Sequence, residues 1–131
     1  MTDLTKYKKP RVLVVEDELL VRLMVVDCFE QADFDVFEAA HAQEAVDLFN
    51  AGERIDLVFT DVRMPGELDG LGLAAWIRKH HPETRVLVTS GELGNDRSSA
   101  GLIDIEHFFA KPYSLDRVIE CIHTSLAKKV A

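Results

Sequence analysis

Residues 11–18 read RVLVVEDE, and this stretch decides the fold. Its aliphatic run, 12–15, is too short for a helix and is bounded by Pro10 before it and by acids after it. A short continuous apolar run predicts a strand buried on both faces, which is typical of a parallel sheet covered by helices. The three acids Glu16, Asp17 and Glu18 would then stand where this strand leaves the sheet.

The same alternation of short apolar runs and longer helical patterns continues outward along the chain. Further strands are predicted at 57–60 and 85–89, with weaker candidates at 35–39 and 107–110. Helices are predicted at 19–31, 42–50, 71–80 and 114–128, the last with Ser114 as its N-cap, and a short one at 95–100. Five strands alternating with helices predict an α/β fold with an open, doubly wound parallel sheet.

Length and composition limit the classes of protein to which the chain can belong. A chain of 131 residues with 47% hydrophobic content is expected to form one folded domain, with a core over 11–128 and flexible residues at 1–9. Its formal net charge of −8 argues against a nucleic-acid partner. Residues 1–9 lack the apolar stretch of a signal peptide, and no apolar run is long enough for a bilayer, so we expect a cytoplasmic protein with no membrane partner.

Chemically active side chains follow the predicted strands at the points where these end. Asp61 closes the strand at 57–60, and the acids at 16–18 close the first. Thr89 and Ser90 end the strand at 85–89, and Lys111 follows the last one. Ligands of open parallel sheets bind beyond the carboxyl ends of the strands, so we expect these residues to converge there.

This combination of residues is suited to phosphoryl transfer. Neighbouring carboxylates repel one another unless a cation lies between them, and all-oxygen ligation is what Mg²⁺ prefers. A carboxylate can act as a nucleophile and form an acyl phosphate. The charge on the transferring oxygens can be countered by a metal on one side and a lysine on the other.

Four stretches, VLVVEDE, DVRMPG with DGL, VLVTSG and AKPYS, occur in this order, and with them the sequence resembles the response-regulator receiver family of two-component signalling. The resemblance extends from Arg11 to about Lys128. It implies a flavodoxin-like fold with strand order 2-1-3-4-5. It also implies that Asp61 accepts a phosphoryl group from a histidine kinase or a histidine phosphotransfer protein.

The resemblance further implies a magnesium site. Glu16 and Asp17 would hold Mg²⁺ together with Asp61 and the backbone carbonyl of Arg63. Aspartate is also common in the family at the position of Glu16, whose longer arm keeps the charge but favours water-mediated ligation.

Three further roles are implied by the same resemblance. Lys111 would be the partner of the phosphoryl group, with a cis peptide bond between Lys111 and Pro112. Phe108 would be the aromatic residue that changes rotamer. The switch hydroxyl would come from Ser90 or Thr89, of which only one can point into the pocket. We favour Ser90, because the small Gly91 follows it, and keep Thr89 as the alternative.

The preferred interpretation is therefore a stand-alone receiver, a signalling phosphoacceptor rather than an enzyme. Its output would pass to a downstream protein through the surface formed by 91–106, the last strand and the last helix, and a second copy of the chain is a further candidate partner. A magnesium-dependent phosphatase of the haloacid-dehalogenase type is a competing hypothesis, but such enzymes carry an aspartate where this chain has Arg63. A receiver-like interaction domain that is never phosphorylated is the third hypothesis.

The first predicted helix is apolar on almost every side. Nine of the eleven positions from 19 to 29 are apolar, whereas a helix that covers a sheet needs only one apolar stripe. One hypothesis is a docking surface for a kinase, a phosphotransfer protein or a second copy of the chain. The alternative is that the surplus packs against the last helix.

Overall fold

A computed structural model describes residues 9–90 and 107–129, and within them five parallel strands form one sheet in the order β2-β1-β3-β4-β5. This confirms the predicted fold class and the strand order. The strands are β1 (Arg11–Val15), β2 (Asp35–Ala39), β3 (Leu57–Asp61), β4 (Arg85–Ser90) and β5 (His107–Ala110). The helices in the described part of the chain are α1 (Leu19–Gln31), α2 (Ala42–Asn50), α3 (Gly70–His80) and α4 (Leu115–Lys129).

The predicted elements agree with these bounds to within one residue at each end. The predicted N-cap of α4 is also present, because the Ser114 hydroxyl accepts a hydrogen bond from the Arg117 amide at 3.4 Å. The short helix predicted at 95–100 and the flexible segment predicted before residue 9 lie outside the described residues. Each helix in the described part of the chain is too short or too polar to cross a bilayer.

The sheet separates two buried layers because neighbouring strand residues point to opposite faces. In β1, Leu13 and Val15 pack in one layer, and Val12 and Val14 pack in the other. Helices α2 and α3 cover the first layer, with buried Ala45, Phe49, Leu73 and Ile77 among its members. Helices α1 and α4 cover the second, with buried Val25, Phe29, Val118 and Ile122. The central strands are therefore covered on both sides, and only their ends are open to solvent.

Helix α1 buries one side and exposes apolar residues on the other. Val25, Val26 and Phe29 pack against the sheet. Four further apolar residues are turned to solvent, so packing against α4 does not account for the whole surplus. We call this the α1 apolar surface, which consists of Leu19, Leu20, Leu23 and Met24, exposed by 55%, 81%, 47% and 57%.

Helix α3 begins directly against the backbone at the end of β3. The Asp69 carboxylate caps the helix by accepting a hydrogen bond from the Gly72 amide at 2.8 Å, and the Gly70 amide donates to the Val62 carbonyl at 2.8 Å. A Cβ atom on Gly70 would lie 2.0 Å from the Asp61 carbonyl oxygen. Only glycine therefore allows α3 to lie this close to Asp61.

We predict that Gly70→Ala destabilises the protein, because its methyl group would meet backbone that cannot move aside. Overpacking of this kind costs about 3 kcal/mol of unfolding free energy. Gly72→Ala in the same helix is the matched control, because its Cβ would meet mainly the mobile end of the Leu68 side chain. Urea denaturation measures both variants, and equal losses at the two glycines would contradict the prediction.

Candidate functional site

Three carboxylates meet at the carboxyl edge of the sheet, as the sequence predicted. Oxygen atoms of Glu16, Asp17 and Asp61 all lie within 4.8 Å of one another. Glu16 and Asp61 are buried, at 6% and 8% exposure, while Asp17 is exposed. The pairing of β1 with β3 explains this convergence, because the parallel register Val15↔Thr60 brings the residues that follow, Glu16 and Asp61, side by side.

Three hydrogen bonds hold Glu16, and their partners lie in three different parts of the chain. Its amide donates to the Ala39 carbonyl of β2 at 3.0 Å, and its carboxylate accepts from the Glu18 amide at 2.9 Å. Its carbonyl accepts from Nη1 of Arg22 in α1 at 2.9 Å. Sequence reasoning missed Arg22, although it is the only charged residue between 19 and 26 and could have been noticed for that reason.

Lys111 is the cation of the site. Its Nζ lies 2.7 Å from Oδ2 of Asp61, and its amide donates to the Ser90 carbonyl at 2.9 Å, which fixes the residue after β5 to the end of β4. The peptide bond between Lys111 and Pro112 is cis. The structure thus brings Lys111 and Asp61 together across 50 residues of sequence.

The charges in the site influence one another. Burial raises the pKa of Glu16, and the charge of Asp61 adds to this effect, whereas the hydrogen bond from Glu18 and the charge of Lys111 oppose it. Burial lowers the pKa of Lys111, but the hydrogen bond and charge of Asp61, with the charge of Glu16, outweigh burial and leave this pKa raised. Lys111 therefore stays protonated at neutral pH, while Glu16 carries its negative charge at an energetic cost.

Tyr113 lies close to the site. Its ring packs edge-on against Phe59 with the centroids 5.7 Å apart, and burial raises the pKa of its hydroxyl. Because the charges of Lys111, Glu16 and Asp61 all act on it, Tyr113 lies within the electrostatic reach of the pocket.

The strand register bears on the choice between Thr89 and Ser90. Both side chains are buried, but Thr89 is the residue paired with Asp61 across β3 and β4. Directly paired residues share a face of the sheet, and Ser90, one position on, points to the other face. The register identifies Thr89 as the residue paired with Asp61 but does not decide which hydroxyl reaches the carboxylate, so Ser90, with Thr89 as the alternative, stays a prediction.

The structure gives less information about two other predicted positions, Phe108 and Arg63. The backbone of Phe108 belongs to β5, but its side chain and the whole of 91–106 lie outside the described residues. Arg63 follows Asp61 by two residues and its side chain is exposed.

The family of response regulator receiver domains matches residues 12–123 of the chain. The chain belongs to this family. Sporulation initiation phosphotransferase F of Bacillus subtilis is 29% identical over 121 residues, covering 91% of this chain and 95% of that protein. Several other relatives are longer proteins, of which this receiver domain spans 47%, 17% and 13%.

Solved structures show the same receiver fold. A CheY-like receiver domain protein from Methanospirillum hungatei JF-1 superimposes with a TM-score of 0.85 at 20% identity, over 92% of this chain and 96% of that one. Response regulator protein TrrA from Thermotoga maritima, solved in complex with Mg²⁺ and BeF, has a TM-score of 0.77 at 25% identity, over 88% of this chain and 98% of that one.

The carboxylate cluster of this receiver domain fits a divalent cation. Its ligands are all oxygen atoms, and they lie close enough together to share one ion. Lys111 counters one of the three negative charges, so the cluster retains an excess of negative charge. Burial is the main reason why the pKa of Glu16 is raised, but the charge of Asp61 also raises this pKa by more than the charge of Lys111 lowers it, so the excess is not fully compensated by the protein.

We predict that Glu16→Gln has opposite effects with and without Mg²⁺. Without metal at pH 7 the variant should unfold at a higher temperature than the wild type, because a buried charge that repels Asp61 is removed. The pKa of Glu16 is raised in the folded protein, so its ionisation opposes folding above that pKa, and the gain should shrink as the pH falls below it.

With Mg²⁺ the order should reverse. At about 100 times its dissociation constant, a ligand stabilises a folded protein by about 2.7 kcal/mol, and the Glu16→Gln variant should lose most of this. Thermal unfolding with Mg²⁺ and with a chelator measures both effects. A variant that is stabilised by Mg²⁺ as much as the wild type would contradict the assignment of Glu16 as a ligand.

Proposed function

We propose that Asp61 is the phosphoacceptor of a two-component phosphorelay and receives its phosphoryl group from a histidine kinase or a histidine phosphotransfer protein. The observation that carries this proposal is the Asp61 carboxylate itself, buried at the edge of the sheet and held by Lys111 at 2.7 Å beside two further carboxylates. Residues 11–128 would form the receiver unit, and a phosphotransferase among its relatives supports this choice of donor.

In the proposed step, a carboxylate oxygen of Asp61 attacks the phosphorus atom of a phosphohistidine. An O–P bond forms and the P–N bond breaks, and the electron pair of that bond stays on the histidine nitrogen. Lys111 counters the negative charge on the transferring oxygens. Glu16, Asp17, Asp61 and the backbone carbonyl of Arg63 would hold Mg²⁺, which when bound adds a second positive charge on those oxygens.

Phosphorylation would then change the contacts of the side chains around Asp61. The phosphoryl group adds about −1.5 to −2 of charge, so Lys111 is drawn to it and a hydroxyl, which we propose to be that of Ser90, with Thr89 as the alternative, donates to one of its oxygens. We propose that the Phe108 side chain and the segment 91–106 change with them and that a downstream protein binds the altered surface. The domain would take part in its own phosphorylation and dephosphorylation and turn over no separate substrate.

The test is incubation with Mg²⁺ and acetyl phosphate, followed by intact-mass measurement. We expect the wild type to gain one phosphoryl group, and Asp61→Asn and a chelator each to abolish the gain. Asp47→Asn, at an exposed position of α2, is the matched control and should behave as the wild type.

Two results would contradict the proposal. No mass gain and no Mg²⁺ binding would favour an interaction domain that is never phosphorylated. Steady hydrolysis of many equivalents of an unrelated phosphate ester would favour a phosphatase.

We further propose that the phosphohistidine donor binds the α1 apolar surface through apolar residues on its own helices. Helix α1 begins two residues after Asp17, so this surface lies beside the site. A donor that brings its histidine into contact with Asp61 must cover neighbouring residues, and an exposed apolar group of this kind marks a protein-binding surface. A helical donor is favoured because α1 presents a convex row of side chains, against which the groove between two helices can pack.

Leu20→Ser should slow phosphotransfer from any histidine-phosphorylated protein that phosphorylates the wild type, by about tenfold, which corresponds to about 1.4 kcal/mol. Leu20 is 81% exposed, so the substitution should leave stability and phosphorylation by acetyl phosphate unchanged. Ala75→Ser, at an exposed position of α3, is the control. A Leu20 variant that accepts phosphoryl groups from the protein donor at the wild-type rate would exclude this surface.

A further inference from the structure

Arg22 makes two hydrogen bonds that join α1, the β1–α1 turn and β2. Its Nη1 donates to the carbonyl of Glu16 at 2.9 Å, and its Nε donates to Oε1 of Glu38 at 2.9 Å. The Arg22 side chain is only 16% exposed, whereas that of Glu38 is 44% exposed. A guanidinium group is planar and rigid, so these two bonds fix the direction of the group and with it the position of the carbonyl it holds.

The residue that Arg22 holds carries one of the three carboxylates of the site. The Glu16 amide is already bonded to Ala39 at the end of β2. Through Arg22 and Glu38, its carbonyl is also connected to β2, one residue earlier in that strand. Glu16 is therefore tied to the neighbouring strand at both of its backbone polar groups, and Asp17 follows it directly.

Arg22 and Glu38 form a close ion pair. Nε of Arg22 lies 2.9 Å from Oε1 of Glu38, so the charge of Glu38 offsets that of the guanidinium group. The contact of Arg22 with the site is the hydrogen bond from its Nη1 to the Glu16 carbonyl, at 2.9 Å. Arg22 therefore acts on the site through the position of the backbone.

We propose that Arg22, oriented by Glu38, is a positioning residue that holds the β1–α1 turn in the geometry in which Glu16 and Asp17 bind a divalent cation. This inference rests on the proposed function, because it assigns Arg22 to the same site. It predicts that loss of Arg22 weakens the binding of Mg²⁺ without removing any of the ligands.

The test compares Arg22→Gln, Arg22→Lys and Glu38→Gln with the wild type by calorimetric titration with Mg²⁺ and by hydrogen exchange. Loss of a group that orients a metal ligand costs about 10-fold in metal affinity or more, and we expect about that loss for Arg22→Gln. Glu38→Gln should lose less, and Arg22→Lys should be intermediate because one ammonium group cannot reproduce the planar fork. The Glu18 amide should exchange faster in Arg22→Gln without metal.

Arg54→Gln is the matched control. Arg54 pairs with Asp56 at 2.8 Å, before the start of β3 and at the opposite edge of the sheet from Asp61. This variant should keep the Mg²⁺ affinity and the Glu18 exchange rate of the wild type.

Acetyl phosphate labelling of Arg22→Gln should be slow at low Mg²⁺ and return close to the wild-type rate at saturating Mg²⁺.

The outcomes separate this inference from the proposed function. An Arg22→Gln variant with wild-type Mg²⁺ affinity and wild-type Glu18 exchange would overturn the positioning role, even if Asp61 is phosphorylated normally. The reverse result is also informative. If Arg22→Gln binds Mg²⁺ more weakly than the wild type, but no phosphodonor labels the wild type, the positioning role is supported and the proposed function is overturned.

Discussion

Repulsion between carboxylates that the backbone forces together is the constraint on which this site depends. Strands β1 and β3 are hydrogen-bonded neighbours in parallel register, so the residue that follows β1 and the residue that ends β3 are held close together. Glu16 and Asp61 are consequently buried side by side, and Asp17 adds a third charge. The charge of Lys111, which follows β5, offsets part of this repulsion at 2.7 Å from Asp61. The surrounding contacts then serve to keep mutually repelling groups in place.

Several of these contacts come from elements that do not supply ligands. Arg22 of α1 holds the Glu16 carbonyl, and Gly70 allows α3 to lie against the carbonyl of Asp61. The Thr60 hydroxyl donates to the same Asp61 carbonyl at 3.0 Å from inside the sheet. The backbone on both sides of the carboxylate cluster is thus fixed by hydrogen bonds and close packing, so the carboxylates cannot relieve their repulsion by moving apart.

The sequence was sufficient to predict the strands and the residues that end them. A run such as 12–15 has no polar position, so only a strand covered on both faces can bury it, and the acids that follow mark its end. The register was not predictable, because a shift of one residue is invisible in an all-apolar strand. The residue paired with Asp61 depends on that register, and it is Thr89.

Contacts made by single polar side chains could not be predicted from the sequence either. Arg22 and Glu38 lie 16 residues apart in segments that the pattern assigns only to a helix and a strand. The apolar surplus of α1 was visible in the sequence, but its direction was not, because a helix without a polar face offers no sign of which side meets the sheet. The packing of Phe29 into the core decides it, and leaves Leu20 outside.

The exposed side of α1 also sets how a contact between two copies would respond to salt. Copies that carry a net charge of −8 repel one another. This repulsion extends over about 10 Å at 0.1 M ionic strength but only about 3 Å at 1 M, while attraction between apolar side chains is not screened. A contact between two copies through this helix would therefore be opposed in dilute buffer and favoured in concentrated salt.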